Sequence, residues 1–346
     1  MARTKILCAG ILDPGSTARH RMDALARLGY DVLPFNFGPY LKGTGRLANW
    51  FYHRALTGPV VDRINRDIRK AAEVSAPAFI LIDKGIFVRA ESVAYLSEVG
   101  VTIQHNLDNP FGYMGEKSWR LLVEAIPYYD VHFVPREVNL ADYRKAGARH
   151  VMRVPLAFEP TIHYPPPPTW REGDRRIDVS FTGAPYDDRT KFITKLLTDY
   201  GIAVDVRGNR WERALEPKIV GRIYSGPSVY GDGYRQRFWD SKLCLSFITH
   251  SNCDQVAHKS FEIAAAGGVL LAEASAEHKS VFKEGKEALF FTDIADCARL
   301  IREYLPRSDL RAEIAQAAHR RSIESGYSND DRLKQALDEV RSLFGI

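Results

Sequence analysis

The chain is patterned as short, almost continuously apolar runs separated by stretches of helical periodicity. Residues 6–9, 32–35, 79–82, 101–104, 131–134 and 151–154 make up a first series. Runs of this length, apolar on both faces, are what parallel strands covered by helices on both sides require. Between the first two runs, Ser16 and Thr17 offer an N-cap, Met22, Leu25 and Leu28 recur on one helical face, and Gly29 ends the pattern. That stretch reads as a β-α-β unit. A second series at 177–181, 203–206, 243–248, 269–272 and 288–291 repeats the alternation, and from Ile294 onward the pattern is helical only. The predicted fold class is α/β, with two Rossmann-like parallel-sheet domains facing across a cleft. Open sheets of this kind bind ligands outside the carboxyl ends of their strands.

The prolines at 165–168 can join neither a helix interior nor a central strand, so they mark the expected connector. The predicted domains are 1–164, a linker at 165–170, a second domain at 171–325, and a C-terminal helix at 326–346 that packs back on the first domain. A length of 346 residues suits two cores, and 45% hydrophobic with 26% charged residues suits a globular chain. The net charge of +5 comes without a block of like charges, so an anionic ligand is admissible and a nucleic-acid partner is not expected. Cys8, Cys244, Cys253 and Cys297 form no C-x-x-C pair, which suggests neither a disulfide framework nor zinc and fits the reducing cytoplasm. The first apolar run is cut short by Asp13-Pro14, too soon for a signal peptide or a membrane span, and no transmembrane segment is expected.

Motifs narrow the chemistry. The first half lacks G-x-G-x-x-G, and the chain has no G-x-x-x-x-G-K-[ST], G-x-S-x-G, D-x-D or H-E-x-x-H, so dehydrogenase, P-loop, α/β-hydrolase and metal-site readings lose ground. The stretch 254–273 runs from a loop through a short helix into a strand, with His258 and Lys259 in the first helical turn. A helix N-terminus with free N–H groups and adjacent cations suits a diphosphate. Taken alone, FEIAAAGG also reads as a buried helix on a sheet, with Glu262 on its wet side and Asp254 in a loop.

Asp254 and Glu262 are separated by seven residues, and a small-residue helix and an apolar strand follow. In this the chain resembles the retaining GT-B glycosyltransferases of glycosyl transferases group 1. It resembles more narrowly their spore-maturation-protein-like branch, where Lys259-Ser260-Phe261-Glu262 stands in place of Arg-x-Phe-Glu. The likeness extends over 178–189, 234–247 and 285–293. It implies that Glu262 binds the nucleotide ribose and Asp254, a shorter acid than the usual Glu, the donor sugar. His258, Lys259 and Phe261 complete the motif, Lys259 keeping the charge of Arg without its fork. Gly183 and Arg189 fall where the diphosphate is wrapped, and Gly208 with Asn209 where the base lies. Arg189 reads equally as a surface arginine beside Asp187 and Asp188.

In the first half, His105 and Asp108 follow a strand. The resemblance makes His105 a contact of the transferred sugar and Asp108 the group that orients it or takes the acceptor's proton. A His-Asn-x-Asp turn is also an ordinary strand terminator. Asp13 to Thr17 and Asp83-Lys84-Gly85 are expected to rim the same cleft, with Gly15 and Ser16 also explicable as turn and cap. Trp50, Phe51 and Tyr52 offer either a stacking surface or a core face.

The function implied is transfer of a sugar, a hexose above all, from a UDP- or GDP-linked donor to a hydroxyl of a glycan, lipid, protein or small molecule. Retention of configuration, no metal and no cofactor beyond the donor belong to the same expectation. So does a cytoplasmic location, including the inner face of the membrane. The alternative is a nucleotide-sugar-binding protein or sugar-nucleotide epimerase of the same fold.

Overall fold

The computed structural model describes residues 3–42, 55–112 and 118–346; Trp50, Phe51 and Tyr52 lie outside them. The chain divides into two compact units. The first takes in Met1–Pro155, Ser251–Cys253 and Asn329–Ile346, and the second Leu156–His250 and Asp254–Ser328.

The first unit is built on a six-stranded parallel sheet: β1 (Lys5–Gly10), β2 (Asp31–Asn36), β3 (Phe79–Asp83), β4 (Val101–His105), β5 (Val131–Val134) and β6 (His150–Arg153), in the order β2-β1-β3-β4-β5-β6. The helix Thr17–Arg27 starts where Ser16 accepts a hydrogen bond from the Arg19 N–H at 3.2 Å. The helix Pro59–Ser75 follows Gly58 and places Val60, Ile64, Ile68 and Ala72 on one buried stripe. The helix Asn329–Phe344 also belongs here. Leu333, Leu337 and Val340 enter the same apolar cluster as Ile6, Leu25 and Phe79, and Arg27 Nε meets Asp330 at 2.9 Å.

The second unit has its own parallel sheet: β7 (Ile177–Thr182), β8 (Asp205–Arg207), β9 (Tyr224–Gly226), β10 (Ser241–Ser246), β11 (Leu270–Glu273) and β12 (Leu289–Phe291), in the order β12-β11-β10-β7-β8-β9. Phe181, Leu196, Val206, Trp211, Leu243, Leu271 and Phe291 fill one side of it. Two features depart from the sequence pattern. β9 is a three-residue edge strand with a register irregularity against β8, too short and too polar to stand out. β10 ends at Ser246, so Phe247 and Ile248 leave the ladder and line a pocket.

The unit boundary lies between Pro155 and Leu156, ahead of the proline run expected as the connector. Residues 156–164 are tied into the second unit: Arg235 donates to Ile162 O at 3.0 Å and Trp239 Nε1 to Tyr164 O at 3.1 Å. Pro165 and Pro166 lie against Gly267. Among the described residues, no helix is long and apolar enough to cross a membrane.

Candidate functional site

In the second unit, strand order reverses between β7 and β10, which opens a crevice at the carboxyl ends of the strands. Gly183 follows β7 and Gly208 follows β8. The Gly183 N–H donates to Arg207 O at 2.9 Å, and Gly183 O accepts from Trp211 Nε1 at 2.7 Å. Gly208 has φ +158°, and a Cβ there would stand 2.0 Å from Gly183 O. Only glycine fits this close approach. A Cβ on Gly183 would lie 3.5 Å from Lys259 Nζ, so bare backbone faces the ammonium group.

Lys259 sits on the helix His258–Ala265, which follows β10. Its N-cap residue, Ala257, provides no side-chain cap. Ser260 points inward and bonds His278 Nε2 at 2.9 Å, while His278 Nδ1 donates to Glu273 O at 2.8 Å. Burial holds the His278 pKa down at about 4, so it stays neutral and ties the helix to β11. Phe261, expected at the donor site, is instead 1% exposed and packs on Phe282 and Tyr327. Its place on the helix turns the ring into the core, away from the face that carries Lys259 and Glu262.

Glu262 is 13% exposed on its side chain. The Tyr234 hydroxyl donates to Oε2 at 2.6 Å, and His163 Nε2 stands 3.8 Å from Oε1. His163 Nδ1 accepts the Glu159 N–H at 3.1 Å, which leaves its proton on Nε2, facing the carboxylate. Burial alone would raise the Glu262 pKa. His163, His258, Lys259 and the Tyr234 hydroxyl outweigh it and hold the carboxyl at about 2, so the group is ionised at neutral pH. Lys259 donates to Thr182 O and, at 3.3 Å, to the Tyr234 oxygen. Burial lowers its pKa to about 8, Glu262 opposing the shift and Arg189 adding to it. His258 is turned to the chain: its Nε2 bonds Ala157 O at 2.6 Å.

Arg189 opens the helix Arg189–Tyr200 and is buried, donating to Thr249 Oγ1 at 2.8 Å and to Ala184 O at 3.3 Å. Burial lowers its pKa, while Asp187, Tyr186, Asp254 and Glu273 pull it back up. It is therefore a built-in cation and not a loose surface arginine. Asp254 lies on the loop after β10, where its N–H donates to Thr249 O at 3.2 Å. The two acids thus serve different neighbourhoods: Asp254 acts on Arg189, and Glu262 on Lys259, His163 and Tyr234. Arg189 also lines a pocket of about 470 Å³ with Phe192, Phe247, His250, Glu273 and Phe291. Among the described residues, no three His, Cys, Asp or Glu side chains are grouped to hold a metal ion.

The first unit has its own switch point between β1 and β3. Ser16, Thr17, Asp83, Lys84 and Gly85 line a pocket there of about 160 Å³. Asp83 there forms a buried ion pair with Arg21. His105 ends β4, buried edge-on to Phe133 at 5.9 Å, and its carbonyl accepts the Lys84 N–H at 2.8 Å. The Asp108 N–H donates to Asn106 Oδ1 at 3.1 Å, and the Asp108 carboxylate meets Lys84 Nζ at 2.6 Å. Sequence reasoning assigned no role to His163 or to Tyr234, and both touch Glu262. His163 carried a signal only in being a histidine just before the prolines.

Two Rossmann-like parallel-sheet units in one chain define the GT-B fold. Comparison with known proteins agrees. A family model described as "Glycosyl transferase-like" matches residues 189–338. No curated protein sequence matches the chain. Among solved structures, sucrose-phosphate synthase from Thermosynechococcus elongatus is similar at a TM-score of 0.67 and 11% identity, covering 99% of this chain and 100% of that one. HepE from Anabaena, solved in complex with UDP-glucose, gives 0.67 and 11%, covering 98% and 100%. A glycosyltransferase from Rickettsia africae gives 0.61 and 11%, covering 99% of each. At these identities the likeness speaks for the fold.

Proposed function

We propose that the chain is a glycosyltransferase whose second unit binds a nucleoside-diphosphate sugar and passes the sugar, a hexose, to a hydroxyl acceptor. The observation that carries this reading is the Glu262 carboxylate, bonded by the Tyr234 hydroxyl that also accepts from Lys259, on a helix that follows β10 at the β7/β10 switch point. An ionised acid there accepts the paired hydroxyls of a ribose, and the adjacent ammonium attracts a diphosphate. The match of residues 189–338 to a glycosyl-transferase-like family model supports the same assignment. HepE was solved with UDP-glucose, which makes UDP-glucose the first donor to try, with GDP-linked sugars beside it.

In the reaction, the bond from the anomeric carbon to the diphosphate oxygen breaks and a bond to the acceptor oxygen forms. The leaving diphosphate takes the electron pair, stabilised by Lys259, Arg189 and the helix-terminal amides. Asp254 positions the sugar, with His105 as a further contact. Asp108 takes the acceptor's proton. Retention, the spore-maturation-protein-like branch, a cytoplasmic setting and the absence of a metal or further cofactor are parts of this proposal.

Calorimetric titration of nucleotide sugars against wild type and Glu262→Ala tests the donor claim. Loss of roughly a hundredfold in affinity is expected. A folded Glu262→Ala protein with wild-type affinity overturns the assignment. Turnover is expected to survive a chelator, and activity abolished by it and restored by magnesium refutes metal independence. Binding without transfer, or inversion of a sugar centre in the donor itself, selects the binding-protein or epimerase alternative.

A further inference from the structure

Glu262 and Lys259 do not touch the nucleotide site as independent charges, because a third side chain spans them. The helix Gly231–Asp240 carries Tyr234 and Arg235 side by side. The Tyr234 hydroxyl donates to Glu262 Oε2 at 2.6 Å and accepts from Lys259 Nζ at 3.3 Å. Its one proton and its lone pairs are directed so that the anion receives and the cation gives. The ring is fixed on both sides, edge-on to Phe238 at 4.7 Å between centroids and to His163 at 5.9 Å. Arg235, 6% exposed, holds Ile162 O at 3.0 Å and lies over the Tyr164 ring at 3.9 Å. One helix therefore anchors Glu262 directly and, through residues 162 and 164, the segment that carries His163.

From this geometry we infer that Tyr234 is a positioning residue of the donor site. Its hydroxyl occupies Oε2, so that Oε1, faced by His163 Nε2 at 3.8 Å, is the oxygen that receives the ribose, and it holds the Lys259 ammonium in line with bare Gly183, where a diphosphate passes. The inference rests on the donor-site reading above. The other charged or titratable groups facing Glu262 are His163, His258 and Lys259. His258 is engaged with Ala157 O and His163 Nε2 faces Oε1 at 3.8 Å, so the Tyr234 hydroxyl, at 2.6 Å from Oε2, is the close hydrogen-bond donor that fixes the carboxylate.

Tyr234→Phe removes one oxygen and keeps the packed ring. Donor dissociation constants, taken for wild type, Tyr234→Phe, Glu262→Gln and the double variant of the full chain, form a cycle. Tyr234→Phe is expected to weaken UDP-glucose or its GDP counterpart roughly tenfold with the melting temperature little moved. The double variant is expected to lose less than the sum of the two single losses, since Tyr234 acts in large part through that carboxylate. Additive losses, or a Tyr234→Phe protein of unchanged affinity, overturn the inference. A ligand-free readout runs beside it. The Glu262 carboxyl carbon resonance is expected to stay flat to about pH 4 in wild type and to begin titrating there in Tyr234→Phe. An unchanged resonance also overturns it. If wild type binds no nucleotide sugar, the donor reading fails, and the carboxyl titration still decides whether Tyr234 holds Glu262.

Discussion

In the first unit Lys84 and Asp108 meet at 2.6 Å with 44% and 37% of their side chains exposed; in the second, Lys259 and Glu262 share the Tyr234 hydroxyl, and Glu262 is 13% exposed. Both sets lie after the carboxyl ends of strands in a six-stranded parallel sheet. Water screens the first pair, so either partner can exchange its neighbour for a ligand at little expense. The second set has been taken out of water. Each of its charges depends on the others, and removing one leaves a buried charge behind. Similar sheets thus offer two kinds of edge, one adaptable and one pre-organised. In the function proposed above, the second kind would hold the nucleotide of the donor and the first would meet the acceptor.

The contrast can be broken by attacking the rigidity of the second unit. Gly208→Ala forces a Cβ to within 2.0 Å of Gly183 O, where only backbone can yield. A loss of about 3 kcal/mol or more is expected in denaturant unfolding. A loss under about 1 kcal/mol would show an edge far softer than described.

Acid comes next in size. The Glu262 pKa is depressed from 4.5 to about 2, so its contribution is complete above the unfolded value and is lost as pH falls through the window between them. Up to about 3 kcal/mol lies in that window. The stability gap between wild type and Glu262→Gln is expected to narrow from pH 6 to pH 3, and a constant gap would contradict it. On the alkaline side, Lys259 is charged below about 8 and neutral above. Donor affinity is expected to fall as pH rises through that value, approaching tenfold per unit, and Lys259→Arg to flatten the slope. The smallest effect belongs to the adaptable edge. Lys84→Ala is expected to change unfolding free energy by less than about 1 kcal/mol, and a larger loss would erase the distinction.

The sheets were legible because strands covered on both faces leave uninterrupted apolar runs, as in 79–82 and 269–272. β9 was not, since Tyr224-Ser225-Gly226 owes its place to pairing with β8. Glu262 and Lys259 could be read from one local motif. The contacts of His163 and Tyr234 could not, because the fold brings both to Glu262 from outside that motif; Tyr234 opens the 234–247 stretch of the likeness but carried no role there, and His163 lies in no such stretch. Phe261 stood in the motif and was read as a ligand contact, yet helical geometry turns it inward. Adjacent residues on a helix do not share a face. Gly208 was picked for its position after a strand; the reason only glycine fits, the carbonyl of Gly183, lies on another strand's loop.

The helix Asn329–Phe344 places Leu333, Leu337 and Val340 in the cluster that holds Ile6 and Phe79. On a ribosome, the strands of the first unit emerge early and wait, with part of one apolar face uncovered beside Ala24 and Leu25, until Leu333, Leu337 and Val340 follow. The second unit has by then been made in full and can fold around its own sheet. The order of completion is thus the reverse of the order of initiation, and the nascent first unit is the stage at which a chaperone has something to cover.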